Sequence, residues 1–238
     1  VIIGHKSHTF IYESGGISSY GGIHSHQLKN NTDGTIDIND IKDAIRIDDV
    51  HFPRTSLICI ENTHNKCHGF PLPMDYINLV CNIAHENNIK VHMDGARLFN
   101  ACAALDLTAD TILENVDSVT FCLSKGLSAP IGSVVCGSSE FIDEARRIRK
   151  SLGGGMRQTG IIASPGIVSL NTMIDRLKED HNNAKYLADN LSSLEGIELE
   201  PDLVKTNIIY FNFNHSTISS GELVAHMKSK GIIFSDYN

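Results

Sequence analysis

Apolar and polar residues along the chain follow two alternating patterns. Short runs with apolar residues at every second position, such as Val119, Phe121 and Leu123, predict half-buried strands. Longer segments with apolar residues three or four positions apart, such as residues 74–87, predict helices. Because strands and helices alternate, the sequence predicts an α/β fold with a mostly parallel sheet covered by helices on both faces.

The same patterns predict the individual elements. Strands are expected at residues 1–4, 55–62, 87–95, 118–126, 132–137 and 206–214. Helices are expected at residues 38–46, 74–87 and 139–152, at 160–194 as one long helix kinked at Pro165, and from the capping box Ser219–Glu222 onwards. Asp37 is the expected N-cap of the first helix.

Composition narrows the classes of function. The formal net charge of −8 argues against a nucleic-acid partner, because binding a phosphate backbone needs clustered positive charge. Six dispersed cysteines without a CxxC pair are expected to be reduced. No apolar run approaches the roughly 18 residues of a membrane span, and we expect no signal peptide. We therefore expect a cytoplasmic protein without a membrane partner.

The two ends of the sequence suggest a fragment. The chain starts with VIIGHKSHTF, which has no initiator methionine and resembles a strand already under way. It stops at GIIFSDYN, where another strand is expected to begin. We expect these residues to come from a longer polypeptide.

Polar residues follow the predicted strands at their carboxyl ends, where open α/β sheets bind ligands. They are His5 and His8, then Glu61, Asn62 and His64, then Asp94 with Arg97, and finally Ser124 with Lys125. A lysine that attacks a carbonyl, and an aspartate that keeps a pyridinium nitrogen protonated, are the two protein groups that pyridoxal phosphate requires. Lys125 and Asp94 could supply them.

Two simpler interpretations of this pair remain open from spacing alone. Asp94 could cap a helix that begins at Gly95, since aspartate is a common N-cap. Lys125 could be a surface residue that extends its ammonium group into water.

Four blocks of sequence resemble one known family, and they occur in that family's order. The blocks are HFPRTSLICIENTHN at 51–65, HMDGARLFNA at 92–101, FCLSKGLSAPIGSVV at 121–135 and LGGGMRQTG at 152–160. They resemble the low-specificity L-threonine aldolases, which are pyridoxal-phosphate enzymes with the aspartate aminotransferase type of fold. The resemblance runs over nearly the whole chain.

The resemblance implies roles for residues at matching positions. Lys125 would form the Schiff base with the cofactor, and Asp94 would pair with the pyridine nitrogen. Arg97 would lie near the cofactor's phenolic oxygen and the substrate carboxylate. His8 would stack on the pyridine ring close to the substrate β-hydroxyl, and His64 would be a second histidine near that hydroxyl. The remaining cofactor contacts implied by the family are Ser124, and Lys150 and Arg157 near the phosphate.

The implied reaction splits threonine or allo-threonine into glycine and acetaldehyde, in a homodimer or homotetramer. Residues 1–159 would be the cofactor-binding large domain without its N-terminal part, residues 160–194 a connecting helix, and residues 195–238 the start of a truncated small domain. The family's phosphate-gripping loop and a C-terminal arginine have no counterpart in these residues. The alternatives are another pyridoxal-phosphate lyase or hydroxymethyltransferase, or a catalytically silent remnant.

A metal site is not expected. The segments HNKCHG at 64–69 and HSH at 24–26 place histidine and cysteine at spacings that metals use. A structural zinc needs a second spaced pair of ligands, and the sequence offers none.

Overall fold

Short apolar strands build the central sheet of the computed structural model, which describes residues 1–236. The strands are β1 Ile2–Gly4, β2 His26–Leu28, β3 Leu57–Glu61, β4 Lys90–Asp94, β5 Ser118–Cys122 and β6 Ser133–Gly137. Their order is β2-β1-β3-β4-β5-β6, and every neighbouring pair is parallel except β5 and β6. The mostly parallel α/β sheet that the sequence predicts is confirmed.

Helices connect and flank these strands. They are α1 His8–Ile11, α2 Gly16–Ser19, α3 Ile38–Ala44, α4 Met74–Glu86, α5 Leu98–Leu105, α6 Ala109–Leu113, α7 Ser139–Ser151, α8 Gly160–Thr172, α9 Leu177–Leu191 and α10 Ser220–Ser229. The Asp37 carboxylate caps α3 by accepting the Asn39 N–H at 2.8 Å. The capping box of Ser219 and Glu222 starts α10. Both predicted caps are confirmed.

One face of the sheet carries the main core. Ile58 and Ile60 of β3, together with Val91 and Met93 of β4, are buried in one cluster with residues of α4 such as Ile77. Each fully buried side chain of this size stabilises the fold by about 1.5–3 kcal/mol. This face therefore holds the strands, and the residues that follow them, in fixed positions.

The opposite face of the sheet is only partly covered. It borders a cavity of about 570 Å³, where Leu57 and Cys59 of β3 face Thr9 of α1, Ile17 of α2 and Phe141 of α7. The helices α1 and α2 have four residues each and are too short to cover a sheet of this width. The expected coverage on both faces is thus incomplete in these residues.

Residues 160–194 form two helices, so the prediction of one long helix is wrong. The interruption lies between α8 and α9, where Arg176 and Leu177 donate to Met173 and Ile174 in tighter i→i−3 bonds. Pro165 lies inside α8. The interruption allows Leu177 to be buried in the main core, while Ala184 and Ala188 of α9 pack in a second cluster with Val204.

The predicted strand at 206–214 is also mostly absent. Only β8 (Asn212–Phe213) is a strand, and it pairs antiparallel with β7 (Ile197–Glu198). The buried Thr206 hydroxyl donates to the Gly69 carbonyl at 2.8 Å, which ties the start of the segment to the large sheet region. This tertiary contact takes precedence over the β propensity of the sequence. The proposed domain division at 159 and 194 stays a prediction.

Helix α8 is apolar on all sides yet lies at the surface. Ile161, Ile167 and Val168 are 77%, 60% and 60% exposed. An all-round apolar helix is typical of a buried element.

None of the helices described in residues 1–236 is long and apolar enough to cross a membrane.

Candidate active site

Residues after four parallel strands meet at one edge of the sheet. His8 follows β1, Glu61 and Asp94 end β3 and β4, and Lys125 follows β5. Glu61 and Asp94 are register partners, so their side chains leave the sheet on the same face. The charges of Asp94 and Lys125 both act on the Glu61 carboxylate. The structure thus brings together residues that are separated by over a hundred positions in the sequence.

Glu61 is the most enclosed carboxylate at this edge. Its side chain is 4% exposed, Oε2 accepts the His8 N–H at 2.7 Å, and Oε1 accepts the Asn65 N–H at 2.9 Å. Burial is the main cause that raises the pKa of Glu61 to about 7, and the charge of Asp94 acts in the same direction. The two N–H donors and Lys125 lower this pKa. Glu61 can therefore exchange a proton near neutral pH.

Asp94 is half-buried and lies in the turn after β4. Its Oδ1 accepts the Ala96 N–H at 3.1 Å, while α5 begins only at Leu98 with Arg97 at the N-cap position. Asp94 is therefore not a helix N-cap, and the capping interpretation of the sequence is wrong. Glycine is required next to it, because a Cβ at Gly95 would lie 2.9 Å from the Thr120 carbonyl oxygen.

Lys125 and Ser124 are exposed at the end of β5. They follow Leu123, which is buried, and a 2.9 Å hydrogen bond from the Ser128 N–H to the Lys125 carbonyl closes the turn. A Cβ at Gly126 would lie 2.7 Å from Asn100 Oδ1, so the backbone after Lys125 approaches α5 closely. This approach fixes the base of the lysine while its amine stays accessible.

Arg97 is half-buried, and a side chain from the β3 loop holds its head group. Its Nη1 donates to Asn65 Oδ1 at 3.3 Å. Asn65 in turn is bound through its N–H to Glu61. The guanidinium is therefore linked to the same carboxylate that binds the loop of His8.

His8 opens α1 and keeps an accessible ring. Nδ1 lies 2.8 Å from Glu13 Oε1, and the ring centroid lies 4.7 Å from that of Tyr12. The side chain is 35% exposed. The imidazole is thus oriented by protein groups on one side and open on the other.

His64 lies deeper than His8. It is 1% exposed, Nδ1 lies 4.0 Å from Glu61 Oε1, and neither ring nitrogen has a hydrogen-bond partner among the described residues. Burial, with the positive charges of Lys6 and His5, lowers the pKa of His64 to about 4. The ring is therefore neutral at physiological pH, with hydrogen-bonding capacity that these residues leave unused.

Lys150 and Arg157 lie apart from this group. Lys150 is in the last turn of α7, Arg157 is in the following loop, and both are exposed. Within residues 1–236, neither makes a hydrogen bond or ion pair with the residues at the strand edge. Their assignment to the cofactor phosphate stays a prediction.

Glu61 and Asn65 are functional candidates to which sequence reasoning gave no role. The sequence did place Glu61 among the polar residues at the carboxyl ends of the strands, and this position was the pattern that indicated a functional residue. Asn65 lies in the ENTHN segment, but its bond to Arg97 spans 32 positions and leaves no local pattern.

The described residues contain no group of three or more histidine, cysteine, aspartate or glutamate side chains arranged to hold a metal ion. In the HNKCHG segment, Cys67 Sγ lies 3.4 Å from the Asn31 carbonyl oxygen, to which it donates. The six cysteines are free thiols.

Comparisons with known proteins agree with one another. The family model described as "Beta-eliminating lyase" matches residues 1–214. Two Arabidopsis thaliana proteins, "Probable low-specificity L-threonine aldolase 2" and "Low-specificity L-threonine aldolase 1", are 47% and 42% identical over 88% and 98% of this chain. A crystal structure of a "putative L-allo-threonine aldolase" from Listeria monocytogenes aligns with a TM-score of 0.83 and 23% identity over 99% of this chain, and it supports the fold.

The relatives are longer than this chain. The aligned chain spans 60% and 66% of the two Arabidopsis proteins and 64% of the Listeria protein. The match to the family model includes all four strand ends described above, and the chain spans about two thirds of each relative.

Proposed function

Because the chain belongs to the beta-eliminating lyase family and is related to the low-specificity L-threonine aldolases, we propose that it is a pyridoxal-phosphate-dependent aldehyde-lyase. Its substrate would be threonine or allo-threonine, and its products glycine and acetaldehyde. The observation that carries this proposal is the shared strand edge, where the charges of Asp94 and Lys125 both act on Glu61. An amine and a carboxylate at one edge are the side chains that this cofactor requires.

The residues at the edge fit pyridoxal phosphate. Lys125 offers an accessible amine and Asp94 a half-buried carboxylate. His8 offers an imidazole face that is open on one side. The unpartnered nitrogens of His64 suit a site that receives a further polar group, because buried polar atoms normally have hydrogen-bond partners. This donor set supports the cofactor assignment.

Different residues of the chain would bind the cofactor and the substrate. Lys125 would hold the cofactor through its aldehyde carbon, and Asp94 would keep a proton on the ring nitrogen. Arg97 would bind the substrate carboxylate through its guanidinium. When bound, pyridoxal phosphate supplies a ring that withdraws electrons from the substrate Cα. We expect Ser124, Lys150 and Arg157 to help hold the cofactor, as the resemblance implies.

His8 would accept the proton of the substrate β-hydroxyl as the bond between Cα and Cβ breaks. Its ring suits this role because Glu13 fixes the Nδ1 side and the side chain is partly exposed. His64 is neutral and could orient the same hydroxyl through a hydrogen bond. Loss of that proton converts the β-carbon fragment to acetaldehyde, and protonation at Cα completes glycine.

The test measures acetaldehyde and glycine from L-threonine and L-allo-threonine after pyridoxal phosphate is added to the purified protein. We expect the two products in equal amounts, and no product from Lys125→Ala. Lys42→Ala, at an exposed position of α3, is the matched control and should keep full activity. Absence of acetaldehyde from the wild-type protein with both substrates would contradict the proposal.

A second candidate is β-elimination, which the description of the matching family favours. Threonine would then yield 2-oxobutanoate and ammonia in place of acetaldehyde and glycine. Analysis of the same reaction mixture for both pairs of products separates the two reactions. The homodimer or homotetramer and the cytoplasmic location stay predictions.

A further inference from the structure

We propose that Glu61 is a positioning residue. It would fix the positions of His8 and Arg97 relative to the amine of Lys125 and the carboxylate of Asp94. This inference rests on the proposed lyase function for its catalytic consequence. Its structural part, the hold on two loops, concerns residues of this chain only.

Glu61 first contacts the loop that carries His8. The His8 N–H lies in the first turn of α1, where an N–H has no partner within the helix. It donates to Glu61 Oε2 at 2.7 Å across a sequence separation of 53 residues. Since α1 has only four residues and its N-cap residue Ser7 makes no side-chain capping bond, this contact supplies a partner for the first N–H of the helix.

The second hold reaches Arg97 through Asn65. Glu61 Oε1 accepts the Asn65 N–H at 2.9 Å, and Asn65 Oδ1 accepts from Arg97 Nη1 at 3.3 Å. One carboxylate thus joins the loops after β1, β3 and β4. A shift of Glu61 would move the imidazole and the guanidinium together.

A carboxyl group suits these contacts because each of its two oxygens accepts a backbone N–H. A glutamine would keep one acceptor and place an NH₂ group against the other N–H. The ionisable groups that face Glu61 are His8 from α1, His64 from its own loop, Asp94 from β4 and Lys125 beyond β5.

The experiment combines amide hydrogen exchange by NMR with steady-state kinetics for Glu61→Gln. We expect the His8 and Asn65 amides to exchange at least about tenfold faster, and kcat to fall by about 10²-fold, the order of loss that a misplacement of about 1 Å can cause. Pyridoxal phosphate binding, followed by absorbance, should change little. Glu61→Asp, which retains the charge, should recover part of the protection and part of kcat.

Two further variants separate positioning from general destabilisation. Asp117→Asn removes a carboxylate that accepts the Val91 N–H at the opposite end of β4, so it should speed exchange at Val91 and leave His8 and kcat unchanged. Asn65→Ala keeps the Glu61 contact to the Asn65 N–H but removes the bond to Arg97. It should raise KM for threonine and leave exchange at His8 unchanged.

Unchanged exchange at His8 and Asn65 in Glu61→Gln would overturn the inference, and so would equal loss of activity in Asp117→Asn. Should Glu61→Gln fail to fold, Glu61→Asp and Asn65→Ala decide by the same readouts. If the wild-type protein forms no acetaldehyde, the proposed function is wrong. The exchange rates of the His8 and Asn65 amides still test whether Glu61 positions the two loops.

Discussion

Glu61 and Asp94 stand side by side on neighbouring parallel strands, and only one of the two carboxylates is enclosed. They are register partners of β3 and β4, yet Glu61 is 4% exposed and Asp94 is half-buried. Environments that differ in this way commonly separate the roles of paired carboxylates. Here Glu61 receives backbone N–H donors from two loops, whereas the hydrogen bond to Asp94 among residues 1–236 comes from the Ala96 N–H in its own turn.

The first prediction concerns stability and pH at Glu61. Because its pKa is raised in the fold from 4.5 to about 7, its favourable contribution is fully present below pH 4.5 and is lost as pH rises through 7. Glu61→Gln should remove this dependence. We expect the variant to lose about 3 kcal/mol more stability, relative to wild type, at pH 4.5 than at pH 8.

Urea denaturation at pH 4.5 and pH 8 measures this difference in the free energy of unfolding. Glu86→Gln, at the exposed end of α4, is the control and should show no such dependence. Equal losses at both pH values in Glu61→Gln would contradict the assignment.

The second prediction concerns Asp94. If its carboxylate keeps a proton on the cofactor's ring nitrogen, Asp94→Asn should lower kcat by about 10²-fold, the order seen when one electrostatic stabiliser is removed. Cofactor affinity should change by less than tenfold, since other residues hold the group. Absorbance titration with pyridoxal phosphate and acetaldehyde release measure the two effects, and unchanged turnover would refute the role.

The third prediction is that replacing His64 increases stability but lowers activity. Removing two buried nitrogens that have no partner in the described residues should raise stability, so we expect His64→Leu to gain about 1–3 kcal/mol at pH 7. The pKa of His64 is lowered from 6.5 to about 4, so wild-type stability from the neutral ring is lost as pH falls from 6.5 to 4. The variant should lack this loss.

Activity of His64→Leu should fall if the ring orients the substrate hydroxyl. Thermal unfolding at pH 7 and pH 4.5, together with acetaldehyde assays, checks both parts. His24→Leu, at an exposed side chain, is the control and should change neither. A variant that is less stable and fully active would contradict both parts.

The fourth prediction concerns the glycine after Lys125. An added Cβ at Gly126 would lie 2.7 Å from Asn100 Oδ1 and 3.0 Å from Leu177 Cδ2. Gly126→Ala should therefore destabilise the fold by about 1–3 kcal/mol and displace Lys125. Gly160→Ala, where the Cβ meets no atom within 4 Å, should be neutral or slightly stabilising. Thermal unfolding compares the two, and equal effects would be evidence against the close approach.

Elements set by local patterns could be predicted from the sequence. The alternation of Val91 and Met93 predicted β4, and Asp37 predicted the start of α3. Since parallel strands bring their carboxyl ends to one edge, the placement of Asp94 and Lys125 at that edge could also be predicted.

Features set by distant contacts could not be predicted. The interruption between α8 and α9 depends on burial of Leu177 in a core formed by other parts of the chain. The absence of a strand at Thr206 depends on its bond to Gly69, 137 positions away. The importance of Glu61 depends on N–H donors that the sequence pattern does not reveal.

Helix α8 has a practical consequence for handling the protein. Ile161, Ile167 and Val168 are all more than half exposed and form an apolar surface in contact with water. Salts such as sulfate are excluded from protein surfaces and strengthen apolar association, so we expect them to lower the solubility of this protein. Self-association that increases with concentration and with sulfate is the expected behaviour of these residues. Ile161→Lys should improve solubility while leaving the strand edge intact, which would allow the site to be studied at the concentrations that NMR requires.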